Sequence, residues 1–186
     1  MKAMLFILVM AVFLLVLQTA LMPRMILAIT WIPGLEFVSG HTIDFALITL
    51  VYLVFHRDLL GALLWAAIFS ILAASFGTGW RGAAGIGYFA VALGSSFVKK
   101  NLLLESRWSV ILLTAGITLF EGFAHLWAGH IFNRIPDPLA GQWGTILTQA
   151  GLNALAAPLL YSFLYFFDGI AGGRTARRRH SLLADV

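Results

Sequence analysis

The chain has 186 residues, of which 61% are hydrophobic and 11% charged. A soluble domain carries about 25% charged residues, so this composition excludes a water-soluble globular protein and predicts an integral membrane protein with one helical domain. The formal net charge of +4 marks location rather than nucleic-acid binding, and the absence of cysteine excludes disulfides, thiolate metal sites and cysteine nucleophiles.

Apolar runs of about 15–25 residues fit membrane helices, since a span needs about 20 residues. The short alternating segments of an outer-membrane barrel are absent from the sequence. The start, "MKAMLFILVMAVFLLVLQTALMP", resembles a signal peptide. Its apolar run is long enough to span, however, and "QTA" is a poor cleavage site, so it reads as a retained first helix over about 3–22. Pro23 and Arg24 are expected to end it. The next stretch, 24–40, is apolar but cut by Pro33 and Gly34 and reads as an interfacial or re-entrant piece.

The second span is expected over about 42–56, opening on "SGHTIDFAL". Thr42 or Asp44 there suits a helix cap. The alternative is that His41 and Asp44 contact a substrate from the outer face. His56, Arg57 and Asp58 form a tight turn into the third span, about 59–77. Ala62, Ala66, Ser70 and Ala74 recur there every fourth residue, a strip that lets helix backbones approach closely. The fourth span, about 82–98, carries Gly82, Gly85, Gly87 and Gly94, which predicts a close-packed corner over 76–88. The corner lacks the G-K-[ST] of a phosphate loop, and "LGSSF" (93–97) lacks the G-x-S-x-G of a nucleophile elbow.

The fifth span is expected over about 108–131 and holds Glu121 and His125, four apart on one helix face. The favoured reading is a structural pair inside the bundle; a proton relay, a partner contact or two metal ligands are the alternatives. His130 lies about half a turn away and points elsewhere, so no metal, cofactor or catalytic site is assigned. The sixth span, about 145–167, contains "LNALAAPLLYSFLYFFD". Pro158 frees the carbonyl of Ala154 and is expected to kink the helix. Asn153 is placed to bond across to a neighbouring helix, and Ala154, Ala157 and Pro158 leave a low-relief face for packing or for a partner.

Six spans put both termini on one side. Nine basic residues then fall on that side, at Lys2, Arg57, Lys99, Lys100, Arg107, Arg174, Arg177, Arg178 and Arg179, and three on the other, at Arg24, Arg81 and Arg134. Positive charge favours the cytoplasm, so both ends are expected there. Trp31, Trp80, Trp108 and Trp143 fall near span ends, where their rings favour the headgroup region. The predicted fold class is therefore an all-α integral membrane protein, a six-transmembrane-helix bundle. Residues 1–173 form its single domain and 174–186 a basic cytoplasmic tail beside the lipid bilayer.

The order and spacing of these features over about 43–168 resembles the MreD family, inner-membrane rod-shape proteins of bacterial cell elongation. Ile43-Asp44 stands where the family has a Pro-Asp or similar pair, and Gly61 opens the third span. A Gly-rich corner leads to Gly87-Tyr88, and "GLNALAAPLLY" places Asn153 and Pro158 in the family's Leu-Asn-x-Leu-x-x-Pro-Leu element. The family's Asp near the end of the third span is missing; Ser70 and Ser75 stand in that region. The resemblance implies a multi-pass protein of the bacterial cytoplasmic (inner) membrane, a scaffold without enzymatic activity or cofactor. It implies MreC as a bitopic partner and, indirectly, the RodA–PBP2 peptidoglycan synthase and MreB. The MreD fold is similar to that of the substrate-binding S subunits of energy-coupling-factor vitamin transporters, so the rival expectation is an S-component-like subunit with an outward vitamin pocket. Such subunits usually carry an Ala-x-x-x-Ala strip on the first helix, and Ala3, Ala11 and Ala20 do not provide one.

Overall fold

The computed structural model describes residues 2–29, 31, 41, 43–76, 81–99, 107–133 and 142–170. These form six helical runs, with no strand among the described residues. The first run comprises α1 (Lys2–Val16), a π-helical turn (Leu17–Leu21) and α2 (Met22–Ile29). Five helices follow: α3 (Phe45–His56), α4 (Leu59–Phe76), α5 (Arg81–Lys99), α6 (Arg107–Asn133) and α7 (Trp143–Ile170).

Helices adjacent in sequence pack side by side from α4 to α7, and α3 reaches α1, α4, α5 and α7. The short α3 is the core. Every residue from Phe45 to Val54 is buried. Twelve residues at 1.5 Å per residue make it about 18 Å long, the shortest of the five later helices. Around it pack Leu14 and Leu15 of α1, Trp65 and Phe69 of α4, Val91 of α5 and Leu160 of α7.

The small-residue strip of α4 is partly inside. Ala62 and Ala66 are fully buried, and Ser70 and Ala74 are half-buried. A Cβ on Gly85 of α5 would lie 2.8 Å from the Ser70 hydroxyl oxygen. Glycine at 85 is therefore what lets α5 approach α4 at this level.

Polarity is reversed from that of a soluble bundle, whose outward faces are charged. Here Leu155 and Leu159 of α7 are 74% and 78% exposed, while Asn153, two residues before Leu155, is fully buried. Ser95, Thr114 and Thr118 are also turned fully inward. Among the described residues two helices are long and apolar enough to cross a membrane, over Trp108–Ala128 and Trp143–Gly169.

One difference from the sequence reading concerns a proline. The first helix does not end at Pro23; it continues to Ile29. Proline lacks an N–H and its ring meets the carbonyl four residues back, here Thr19. The π turn over Leu17–Leu21 lies where that conflict would fall, and its wider backbone relaxes the demand for the missing bond. The Thr19 hydroxyl also donates to the Leu15 carbonyl at 2.9 Å. Consequently 24–29, expected in an interfacial piece, belong to the first run, while 30 and 32–40 lie outside the described residues. The last helix runs unbroken through Pro158 from Trp143 to Ile170.

Candidate functional site

The most distinctive polar arrangement surrounds the N-terminus of α3. A helix leaves its first N–H groups without intrahelical acceptors. In α3, acceptors from three parts of the chain supply them. The Asp44 N–H donates to Asn153 Oδ1 of α7 at 2.8 Å. The Phe45 and Ala46 N–H groups both donate to Gln18 Oε1 of the π turn, at 3.0 and 3.4 Å. The Leu47 N–H donates to the Asp44 carboxylate at 2.9 Å, which makes Asp44 the N-cap. From Ile48 onward the backbone accepts, with Ile48 N–H donating to the Asp44 carbonyl at 3.2 Å.

Asn153 then extends the set. Its Nδ2 donates to the Thr118 hydroxyl of α6 at 3.3 Å, and Thr118 donates to the Thr114 carbonyl at 2.8 Å. Gln149, one turn earlier on α7, donates to Asn153 Oδ1 at 3.3 Å. One fully buried amide thus ties α3, α6 and α7 together. The Tyr88 hydroxyl of α5 lies near the Asp44 carboxyl.

Glu121 stands at the edge of this cluster. Its carboxyl rests on Gly87 of α5, where a Cβ would come within 2.7 Å of Glu121 Oε1. It lies in the neighbourhood of Asp44 and Tyr88. The expected structural pair with His125 is not formed: no hydrogen bond or ion pair joins the two among the described residues, and His125 is exposed. Helical spacing set both side chains on one face, but the glycine at 87 draws the Glu121 carboxyl toward α5. His41 is half-buried just ahead of the cap, and Thr42 lies outside the described residues.

The other end of α3 is closed as well. Lys99 of α5 donates to the Val54 and Arg57 carbonyls at 2.8 and 2.6 Å. A cation there complements the negative end of the helix dipole. Arg57, just past the end, pairs with Asp168 of α7 at 3.5 Å.

Asn153 and Asp44 were marked by the sequence, and the structure joins them. Ala154 follows Asn153 directly on α7 and Ala157 and Pro158 lie about one turn further along, with the two alanines buried and Pro158 half-buried. Gln18, Thr118 and Gln149 were not singled out. Gln18 carried a usable signal, an amide inside an apolar run, because polar groups in such runs are expensive and usually have a partner. The basic tail, 174–186, lies outside the described residues.

Chemically, the cluster is a lock. Its amides and the Asp44 carboxylate are spent on backbone donors and on one another. Among the described residues no three His, Asp or Glu side chains converge as a metal site. A direct expectation follows for Gln18→Leu. It removes the acceptor of two buried N–H groups and should cost about 1–3 kcal/mol. Thermal unfolding in detergent measures it.

No family model matches the chain, and no curated protein or solved structure matches it.

Proposed function

We propose that this chain is a multi-pass protein of the bacterial cytoplasmic membrane that works by binding. In this reading it is an MreD-type scaffold subunit of the cell-elongation machinery. The observation that carries the membrane part is the reversed polarity of the bundle. Leucines at 70–78% exposure cover the outside of α6 and α7, at Leu112, Leu155 and Leu159. Such a surface is stable against lipid and costly against water. Both termini would then be cytoplasmic, as the basic residues favour.

The scaffold part rests on the resemblance in motif order together with the chemistry of the cluster. The Asn of the Leu-Asn-x-Leu-x-x-Pro-Leu element turns inward and holds three helices, while Leu155 and Leu159 of the same element turn outward. A rigid bundle with apolar outer ridges is suited to receive a partner's single span. An S-type transporter subunit instead needs free polar groups for a vitamin, and here the polar groups nearest the cap are bonded to each other.

Affinity purification in mild detergent tests the reading. Co-purification of an MreC-like bitopic protein is the expected result, with deletion of the gene turning rods round. A co-purifying vitamin or ATPase module, with rod shape unchanged, would replace the scaffold with the transporter subunit.

A further inference from the structure

A groove of about 660 Å³ runs between α5 and α6, within the range of about 300–1,000 Å³ that holds a small ligand. Gly94 of α5 and Gly116 of α6 line it without side chains, beside Phe97, Leu112 and Phe120, which are exposed. A Cβ on Gly116 would meet nothing within 4 Å, so the space there is open. The lining is apolar except at Ser109, in the first turn of α6.

Two features of the groove select its occupant. The first is length. From Ser109 to Phe120 the α6 side runs about 16 Å at 1.5 Å per residue, which matches one leaflet, half of a hydrocarbon core about 30 Å thick. A partner's single span crosses both leaflets and needs about twice that length, whereas an acyl chain occupies only one. The second is charge. The end of the groove at Phe97 and Ser109 lies within one turn of Lys99, the last residue of α5, and of Arg107, the first of α6. Both basic residues fall on the side that the charge distribution assigns to the cytoplasm, whose leaflet carries anionic lipids. We propose that the groove is a binding site for one anionic phospholipid of that leaflet, its acyl chain lying along Gly94 and Gly116 and its phosphate at the end marked by Lys99 and Arg107. The bound lipid fills the space between α5 and α6 that the two glycines leave. The site rests on the membrane reading and is independent of the scaffold reading.

Thermal unfolding of the full chain in detergent tests it, with phosphatidylglycerol or phosphatidylcholine added to the micelles. A ligand held only by the folded state stabilises it, so phosphatidylglycerol should raise the midpoint about 2–4 °C more than phosphatidylcholine does. Gly116→Leu fills the open space with its own side chain and should abolish most of that difference. Arg107→Gln should shrink it by removing charge at the headgroup end. Gly151→Leu, equally open on α7, should keep it. Equal midpoints in the two lipids for the parent, or a difference undiminished in Gly116→Leu or Arg107→Gln, overturns the proposal. A single-span protein that co-purifies with the parent and is lost with Gly116→Leu, without any lipid preference, also overturns it and gives the groove to a partner helix. Recovery of the chain without detergent would overturn the membrane reading itself.

Discussion

Asn153→Leu should destabilise the protein by about 2–4 kcal/mol, the cost of stranding buried polar groups on three helices. Leucine has nearly the shape of asparagine, so the fully buried site does not collapse. What changes is bonding. The Asp44 N–H loses its acceptor at 2.8 Å, Thr118 loses its donor and Gln149 its acceptor. Interhelical bonds in membranes average only about 0.6 kcal/mol, but that figure describes side chains that find other partners after unfolding. The Asp44 N–H opens a helix inside the bundle and has no such substitute in the folded state. Thermal unfolding in detergent measures the loss. The outcome bears on the proposed scaffold role: intact capture of the proposed partner by the surviving folded fraction would mark Asn153 as part of the frame. A stable Asn153→Leu protein that no longer captures the proposed partner would move the residue to that interface.

The helices were legible because a membrane-like chain writes them as long apolar runs. The bounds of the third to sixth spans expected from sequence fall within three residues of those of α4 to α7. The second was read from 42 and begins at 45, since Asp44 caps it. The first was cut short at Pro23 because proline chemistry is local and the π turn that accommodates it has no sequence mark. The site was half legible. Asp44 and Asn153 stand out as polar residues in apolar surroundings. Their bond spans 109 positions, and that from Gln18 spans 27. Partnerships at such separation depend on which helices become neighbours, which one sequence does not encode in any spacing. The Glu121–His125 pair failed for the related reason that spacing along one helix says nothing of a glycine on the next.

Gly122→Leu should cost about 3 kcal/mol, through overpacking rather than lost bonds. Gly122 of α6 faces Ile146 at the start of α7. Even a Cβ there would lie 2.9 Å from Ile146 Cγ2 and 3.3 Å from Cγ1. Isoleucine is stiff at its first side-chain torsion, so it has little room to yield and the helices must separate. Gly122→Ala should cost less, because alanine regains about 1 kcal/mol of helix propensity. Pairing it with Ile146→Ala should relieve the clash. Gly151→Ala is the control: nothing lies within 4 Å of a Cβ at that position, so propensity alone acts and stability should rise by about 0.5–1 kcal/mol. Gly122 and Thr118 lie one turn apart on the same face of α6. Spreading α6 from α7 at 122 therefore also lengthens the Thr118–Asn153 bond, already 3.3 Å. Unfolding of the double variant Gly122→Leu/Asn153→Leu should then lose less than the two single losses combined. Full additivity would mean that close packing and the polar lock hold α6 to α7 independently.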